Sequence, residues 1–206
     1  LRFSVPLSCN RVVINMLASL EAIHIPNSLR LYGLSDSEAL SIYGVLTGMA
    51  LPMILFPGAI TNSISVMLLP EIAEAEASRN TTHIKKAIDK TIRCCFCLGL
   101  LCTAGFLITG SFVGRTFFNN ELAGTYIRAL CFICPLLFMA SPLTSILNGL
   151  GQTTRTFFIN LISLGIRLAF VYFAIPHMGI NGYFCGLIVS EIAGIVILLF
   201  FLRKYM

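Results

Sequence analysis

Six long apolar stretches run through this 206-residue sequence and restrict what it can fold into. A helix that crosses a membrane needs about 20 mostly apolar residues, and each stretch reaches that length. We place the stretches at residues 5–31, 37–69, 84–112, 123–150, 154–175 and 181–202. A membrane barrel would instead show alternating segments of about 10 residues, which these continuous runs do not. The pattern therefore predicts an all-α, polytopic membrane protein with a bundle of six transmembrane helices.

The overall composition excludes an ordinary soluble domain. Hydrophobic residues make up 57% of the chain and charged residues only 11%, whereas charged residues supply about a quarter of a typical soluble domain. The net charge of +5 is explained by the membrane topology described next, and we expect no nucleic-acid partner.

The basic residues separate by side of the membrane. The loops between the apolar stretches lie alternately on the two sides of the membrane. The loops on one side hold three basic residues, and Arg167 lies inside an apolar stretch. The other side holds ten, namely Arg2, Arg11, Arg79, Lys85, Lys86, Lys90, Arg93, Arg155, Arg203 and Lys204. Because cytoplasmic loops carry an excess of lysine and arginine, we expect a multi-pass membrane protein with both ends of this segment in the cytoplasm.

The start of the chain shows no cleavable targeting segment. The first apolar stretch carries Arg11 and Glu21, and no small-residue cleavage site follows a short apolar core. Since the sequence begins with Leu1, we expect it to be a piece of a longer protein.

Three ionisable residues lie deep in the predicted helices: Glu21, Arg167 and Glu191. Such residues are rare in membranes and usually face a bundle interior or a watery cavity. Arg167 and Glu191 lie at similar distances from the cytoplasmic ends of two consecutive antiparallel helices, so we predict a buried ion pair between them. This pair either fixes the helix register or takes part in substrate or proton handling.

The first helix has two polar faces at 100° per residue. One holds Ser8, Arg11, Asn15 and Ser19, and the other holds Asn10, Glu21, His24 and Ser28. Two polar faces are compatible with a helix in the wall of an aqueous cavity. A helix buried between neighbouring helices, with its polar groups hydrogen-bonded to them, would show the same pattern. Pro26 removes a backbone hydrogen bond and should bend the helix.

Prolines also interrupt the second and fourth helices. Pro52 and Pro57 precede a polar run that includes Asn62, and bent helices of this kind are frequent in transporters, though packing distortion alone would look the same. Pro135 and Pro142 should interrupt the fourth helix in the same way.

The most polar stretch of the chain, residues 71–93, lies between the second and third apolar stretches. We predict a cytoplasmic loop with an amphipathic helical lead-in, and a helix start capped at Asn80, Thr81 or Thr82. Its basic residues should contact membrane lipids with anionic headgroups, or else a protein partner.

Eight cysteines are present, and most of them fall inside apolar runs. There a thiol behaves as a small hydrophobic side chain. Neither the group Cys94, Cys95 and Cys97 nor the pair Cys131 and Cys134 has the partners to complete a zinc site. We therefore predict no metal and no cofactor.

Three segments resemble one family of membrane proteins: LYGLSDSEALSIYGVLTGMALPMILFPGAITNSISVMLLPEIAEAEA at 31–77, ILNGLGQTTRTFFINLISLGIRL at 146–168 and MGINGYFCGLIVSEIAG at 178–194. The family is that of stage V sporulation protein B and the polysaccharide biosynthesis proteins. It belongs to the multidrug, oligosaccharidyl-lipid and polysaccharide exporter superfamily. The resemblance implies the second lobe of a two-lobe transporter, with the N-terminal lobe of the same protein as its partner.

The resemblance also implies a function. A protein of this family would move a lipid-linked oligosaccharide or peptidoglycan precursor across the bacterial plasma membrane by alternating access, and it would not be an enzyme. The predicted substrate-binding residues are Arg11, Asn15, Glu21 and Asn62, with Arg11 contacting an anion and Glu21 holding a proton or Na⁺ that drives the cycle. Residues 37–69 lack the basic residue that lipid II flippases carry in the corresponding helix. The alternatives are a drug-cation antiporter of the same fold and a non-transporting scaffold for cell-wall or spore assembly.

Overall fold

The computed structural model describes the backbone of residues 4–205 and the side chains of residues 12–203 and 205. Within this range the chain is helical throughout, and no strand occurs. The α-helices are α1 (Ser4–Leu31), α2 (Asp36–Val45), α3 (Leu51–Leu55), α4 (Gly58–Ala77), α5 (Thr81–Phe117), α6 (Glu121–Leu130), α7 (Cys134–Gly149), α8 (Thr153–Phe173), α9 (Ile175–Met178) and α10 (Ile180–Leu202).

Six of the described helical segments are long and apolar enough to cross a membrane. They are Val12–Leu31, Asp36–Leu55, Thr81–Phe117, Glu121–Gly149, Thr153–Phe173 and Ile180–Leu202. The prediction of an all-α, polytopic membrane protein with six such helices is confirmed.

The second predicted helix, 37–69, is not continuous. A π-helical turn at Leu46–Ala50 separates α2 from α3, and Phe56 and Pro57 separate α3 from α4. Pro57 has no backbone N–H to donate and caps α4, so the helical hydrogen-bond ladder stops and restarts there. The predicted interruption by prolines is confirmed at Pro57. The predicted end at residue 69 is wrong, because α4 continues to Ala77.

The polar stretch 71–93 is almost entirely helical, so the predicted loop is also wrong. Only Ser78, Arg79 and Asn80 separate α4 from α5. The predicted cap is confirmed at Asn80, whose Oδ1 accepts a hydrogen bond of 3.0 Å from the His83 N–H. The amphipathic pattern that suggested a short lead-in belongs to three full turns of a 37-residue helix.

The end of α4 is a Schellman turn with an unusual residue at its left-handed position. The Asn80 N–H donates to the Ala75 carbonyl and the Arg79 N–H to the Glu76 carbonyl, while Arg79 has φ 53°. The same turn ends α7, where Gly151 takes that position with φ 73°. Glycine is the usual residue there because it has no Cβ to clash.

We therefore expect Arg79→Gly to stabilise the protein by about 1 kcal/mol, since a left-handed backbone costs a non-glycine residue roughly that amount. Thermal unfolding of the purified protein measures the change. Arg79→Ala is the matched control, because it removes the same charge and keeps the strained backbone. An equal gain from both variants would contradict the backbone explanation.

The chain consists of two compact units. The first comprises Leu1–Tyr43 and Phe157–Ser190, and the second comprises Gly44–Thr156 and Glu191–Met206. The assignment of residues 1–206 to one transporter lobe stays a prediction.

In the second unit, α7 packs against both α4 and α5, and α6 packs against α5. Glycines allow the close approach. Gly99 of α5 lies directly on the backbone of Pro135, and Gly114 of α5 lies on the backbone of Gly124 in α6. Small residues at helix contacts are typical of membrane bundles, where tight packing replaces the hydrophobic effect.

In the first unit, α1 packs against α9 and continues as a helix through Pro26. Ile25, Leu29, Val171 and Ile175 form part of its buried apolar core. These contacts hold α1 beside the helices that carry the polar cluster described next.

Candidate functional site

A buried polar cluster in the first unit joins three helices. Glu21 of α1 is only 5% exposed, and its Oε1 lies 2.8 Å from Nε of Arg167 in α8. The hydroxyl of Tyr183, in α10, donates a hydrogen bond of 3.0 Å to the same Oε1. We call Glu21, Arg167 and Tyr183 the Glu21 cluster.

The connection between α8 and α10 brings two members of the Glu21 cluster to the same region. The chain reverses at Gly179, which has φ 60°. A Cβ on Gly182 would lie 2.7 Å from the backbone of Ala174, so only a glycine allows α10 to start this close to the end of α8. Arg167 lies in the second half of α8, before this turn, and Tyr183 lies in the first turn of α10, after it.

Charge neutralisation explains how the cluster is tolerated inside the membrane. Glu21 is almost completely withdrawn from solvent, whereas the Arg167 side chain is 25% exposed. The Arg167 Nε–H is not aligned for a hydrogen bond to Glu21 despite the short distance, so the contact is a charge pair. A buried carboxylate with no such partner would carry a large desolvation cost. Arg167 therefore supplies a counter-charge to the Glu21 carboxylate, and the Tyr183 hydroxyl adds a hydrogen bond.

The other polar residues of α1 differ in exposure. Asn15 is exposed, and its carbonyl accepts a hydrogen bond of 2.9 Å from the Ser19 hydroxyl. His24 is partly exposed and stacks on Tyr172 of α8, with ring centroids 4.7 Å apart. The side chain of Arg11 lies outside the described residues, so its predicted anion contact stays a prediction.

A second polar group lies between α4 and α7 in the other unit. The Ser141 hydroxyl lies 3.0 Å from Asn62 Oδ1 and 2.9 Å from the Ser65 hydroxyl. Ser65 is buried, whereas Asn62 is exposed. We call Asn62, Ser65 and Ser141 the Asn62 group. Its exposed amide can form further hydrogen bonds with a ligand.

The structure brings some predicted residues together and separates others. Arg167 contacts Glu21, to which the sequence had assigned a different role, while Asn15 and Asn62 lie in different units. The predicted pairing of Arg167 with Glu191 stays a prediction. Sequence reasoning missed Tyr183. Its position in the sequence could have indicated it, because Tyr183 lies in the first turn of α10, just after the turn that follows the helix of Arg167.

Comparison with known proteins indicates the family of the chain. Residues 49–206 match the family model described as lipid II flippase MurJ. The chain belongs to the MurJ family. The match covers α3 to α10 completely, and it confirms the resemblance to this group of the exporter superfamily that the sequence motifs indicated.

Three proteins of Bacillus subtilis (strain 168) are similar to this MurJ family member. Stage V sporulation protein B is 25% identical over 181 residues, which are 87% of this chain and 35% of that protein. Sporulation protein YkvU is 25% identical over 174 residues, covering 84% and 39% of the two chains. Probable multidrug resistance protein YoeA is 26% identical over 143 residues, covering 65% and 31%. The chain thus spans about a third of the length of these relatives.

No solved structure matches the chain. Membership of the MurJ family agrees with the prediction that the chain is not an enzyme, because the family is described by a transport activity. It also agrees with a multi-pass protein of the plasma membrane.

Proposed function

We propose that this chain is the second lobe of a flippase that moves a lipid-linked oligosaccharide or peptidoglycan precursor across the membrane by alternating access. The match of residues 49–206 to the lipid II flippase family is the observation that carries the proposal. The N-terminal lobe of the same protein would complete the transport path, and both ends of this segment would lie in the cytoplasm.

Within this proposal the Glu21 cluster couples ion binding to conformational change. Arg167 neutralises Glu21 in the structure, so a proton or Na⁺ that binds Glu21 must compete with the guanidinium. Protonated Glu21 no longer needs Arg167, because a neutral carboxyl loses most of its attraction for a cation. Ion binding would thus free α8 from α1. Since the same carboxylate also accepts the Tyr183 hydrogen bond from α10, one site would influence the relative positions of three helices.

Substrate contacts in this proposal come from Arg11, Asn15 and Asn62. Arg11 would grip phosphate oxygens, since a guanidinium can hold them bidentately. Asn15 and Asn62 are both exposed, and their amides would bind sugar hydroxyls. The hydrogen bond from Ser141 holds the Asn62 side chain in one orientation. This favours a specific contact by its amide over nonspecific hydration of the helix.

Similarity to the probable multidrug resistance protein YoeA favours a second candidate function. In that case the same lobe would exchange an organic cation for H⁺ or Na⁺. A buried carboxylate on α1 is compatible with cation binding as well as with coupling, so the two candidates must be separated by transport measurements.

The experiment is transport by the complete protein in lipid vesicles, with a labelled lipid-linked sugar and imposed H⁺ or Na⁺ gradients. We expect labelled lipid to change leaflets, Arg11→Gln to weaken substrate binding, and Glu21→Gln to abolish the dependence on the ion gradient. Organic-cation exchange without lipid flipping would favour the antiporter. A folded protein that shows neither activity would contradict both transport proposals and favour the scaffold.

A further inference from the structure

Helix α5 carries a basic stripe directly above an apolar groove, on the side of the second unit formed by α4 and α5. Lys86, Lys90 and Arg93 follow one another at helical spacing and are all exposed. Along with Asp89, Cys94 and Cys97, they line one open cavity on α5. We call Lys86, Lys90 and Arg93 the basic stripe.

The position of the basic stripe relative to the membrane follows from the sequence of α5. Residues 94–114 contain no charged residue, and they span about 30 Å at 1.5 Å per residue, which matches the hydrocarbon thickness of a bilayer. Arg93 therefore lies at one edge of the hydrocarbon. Lys90 lies roughly 4.5 Å further out, within the headgroup layer, and Lys86 lies about 10 Å further out.

A second cavity of about 240 Å³ lies beside the basic stripe, between α4 and α5. Its apolar wall includes Ile64, Met67 and Leu68 of α4 and Cys94 and Cys95 of α5, and Lys90 lies at its edge. Met67 is 72% exposed, so the groove is open at the surface of the second unit. The groove therefore begins beside the basic stripe and extends from it towards the hydrocarbon.

Acidic groups near the stripe do not cancel its charge. Asp89 is only partly exposed. Glu71, which also lines the groove, lies 2.8 Å from Nε2 of His83. The three basic side chains thus exceed the nearby acids, and they face the level at which lipid phosphates lie.

We propose that α4 and α5 form a binding site for one anionic phospholipid of the surrounding bilayer. The basic stripe holds the phosphate and headgroup, and the groove between α4 and α5 holds the start of one acyl chain. Charge complementarity selects an anionic lipid over a zwitterionic one, since each lysine or arginine near an anionic surface contributes a favourable interaction. This proposal does not depend on the transported substrate.

Native mass spectrometry tests the site, because it resolves each lipid bound to the complete protein. Protein from micelles without lipid-linked sugar is titrated with phosphatidylglycerol or phosphatidylcholine, and the Kd of the first bound lipid is measured. We expect tighter binding of phosphatidylglycerol, and a loss of about fivefold in its affinity for each charge removed in Lys86→Gln, Lys90→Gln and Arg93→Gln.

Lys85→Gln is the matched control, since Lys85 is exposed on the same helix, next to Lys86 and about 100° away from it. It should leave the Kd within twofold. Inorganic phosphate should not displace the lipid at equal concentration, and Cys94→Phe should weaken both lipids by filling the groove. An unchanged preference for phosphatidylglycerol in the triple variant Lys86→Gln/Lys90→Gln/Arg93→Gln would overturn the site. So would an equal loss of affinity in Lys85→Gln, displacement of the lipid by phosphate, or tight lipid binding to Cys94→Phe.

Discussion

Replacing Arg167 with glutamine should lower the free energy of unfolding by about 3–5 kcal/mol, because it leaves a buried carboxylate without its counter-charge. Glu21 is 5% exposed, and its Oε1 is the atom that both Arg167 and Tyr183 contact. The remaining Tyr183 hydrogen bond cannot neutralise the charge. Unfolding of the purified protein by increasing fractions of a denaturing detergent measures the loss.

Two further variants separate the charge pair from other effects of the substitution. The double variant Glu21→Gln/Arg167→Gln should recover most of the lost stability, because both charges are gone. Arg30→Gln is the matched control in the same unit, since Arg30 lies 3.0 Å from Asp36 but the pair is exposed. It should cost less than about 1 kcal/mol. Additive losses in the double variant would show that Glu21 and Arg167 are not energetically coupled.

The fold was predictable wherever the length and hydropathy of a single segment were enough to identify a membrane-spanning helix. The run at residues 181–202 is apolar almost throughout, apart from residues such as Glu191, and it agrees with α10 at Ile180–Leu202 to one residue. The prediction failed at 71–93, where hydropathy falls but the helix continues. Charged residues such as Lys86 and Asp89 end a membrane span without ending a helix, because their backbone N–H and C=O groups bond as well in water as in lipid.

The candidate site was harder to predict than the fold. Depth suggested Glu191 as a partner for Arg167, and that pairing stays a prediction. Depth did not indicate the contact between Arg167 and Glu21 that the structure shows, because depth fixes only one coordinate. Which acid a guanidinium reaches depends on how α1 lies beside α8 and on the turn at Gly179, and neither is visible in the local sequence. The deep charged residues Glu21 and Arg167 were identified correctly as unusual, since their cost in a membrane is independent of tertiary detail.

The contact between Gly99 and Pro135 gives the second large effect. Gly99→Ala should destabilise the protein by about 1–3 kcal/mol, because the added Cβ would overlap the backbone of Pro135, which cannot rotate away as a side chain can. Separation of α5 from α7 would also stretch the contact between the Thr103 hydroxyl and the Cys131 carbonyl, now 2.9 Å. Detergent-induced unfolding again measures the change.

Gly105 provides a control on the same helix, since a Cβ at that position would meet nothing within 4 Å. Gly105→Ala should stabilise the protein by up to about 1 kcal/mol, because alanine restricts the unfolded chain and favours helix. The same substitution on one helix should therefore have opposite signs at two positions. A gain at Gly99 equal to that at Gly105 would mean that α5 and α7 do not approach closely at Pro135, and the small-residue packing of the second unit would need another explanation.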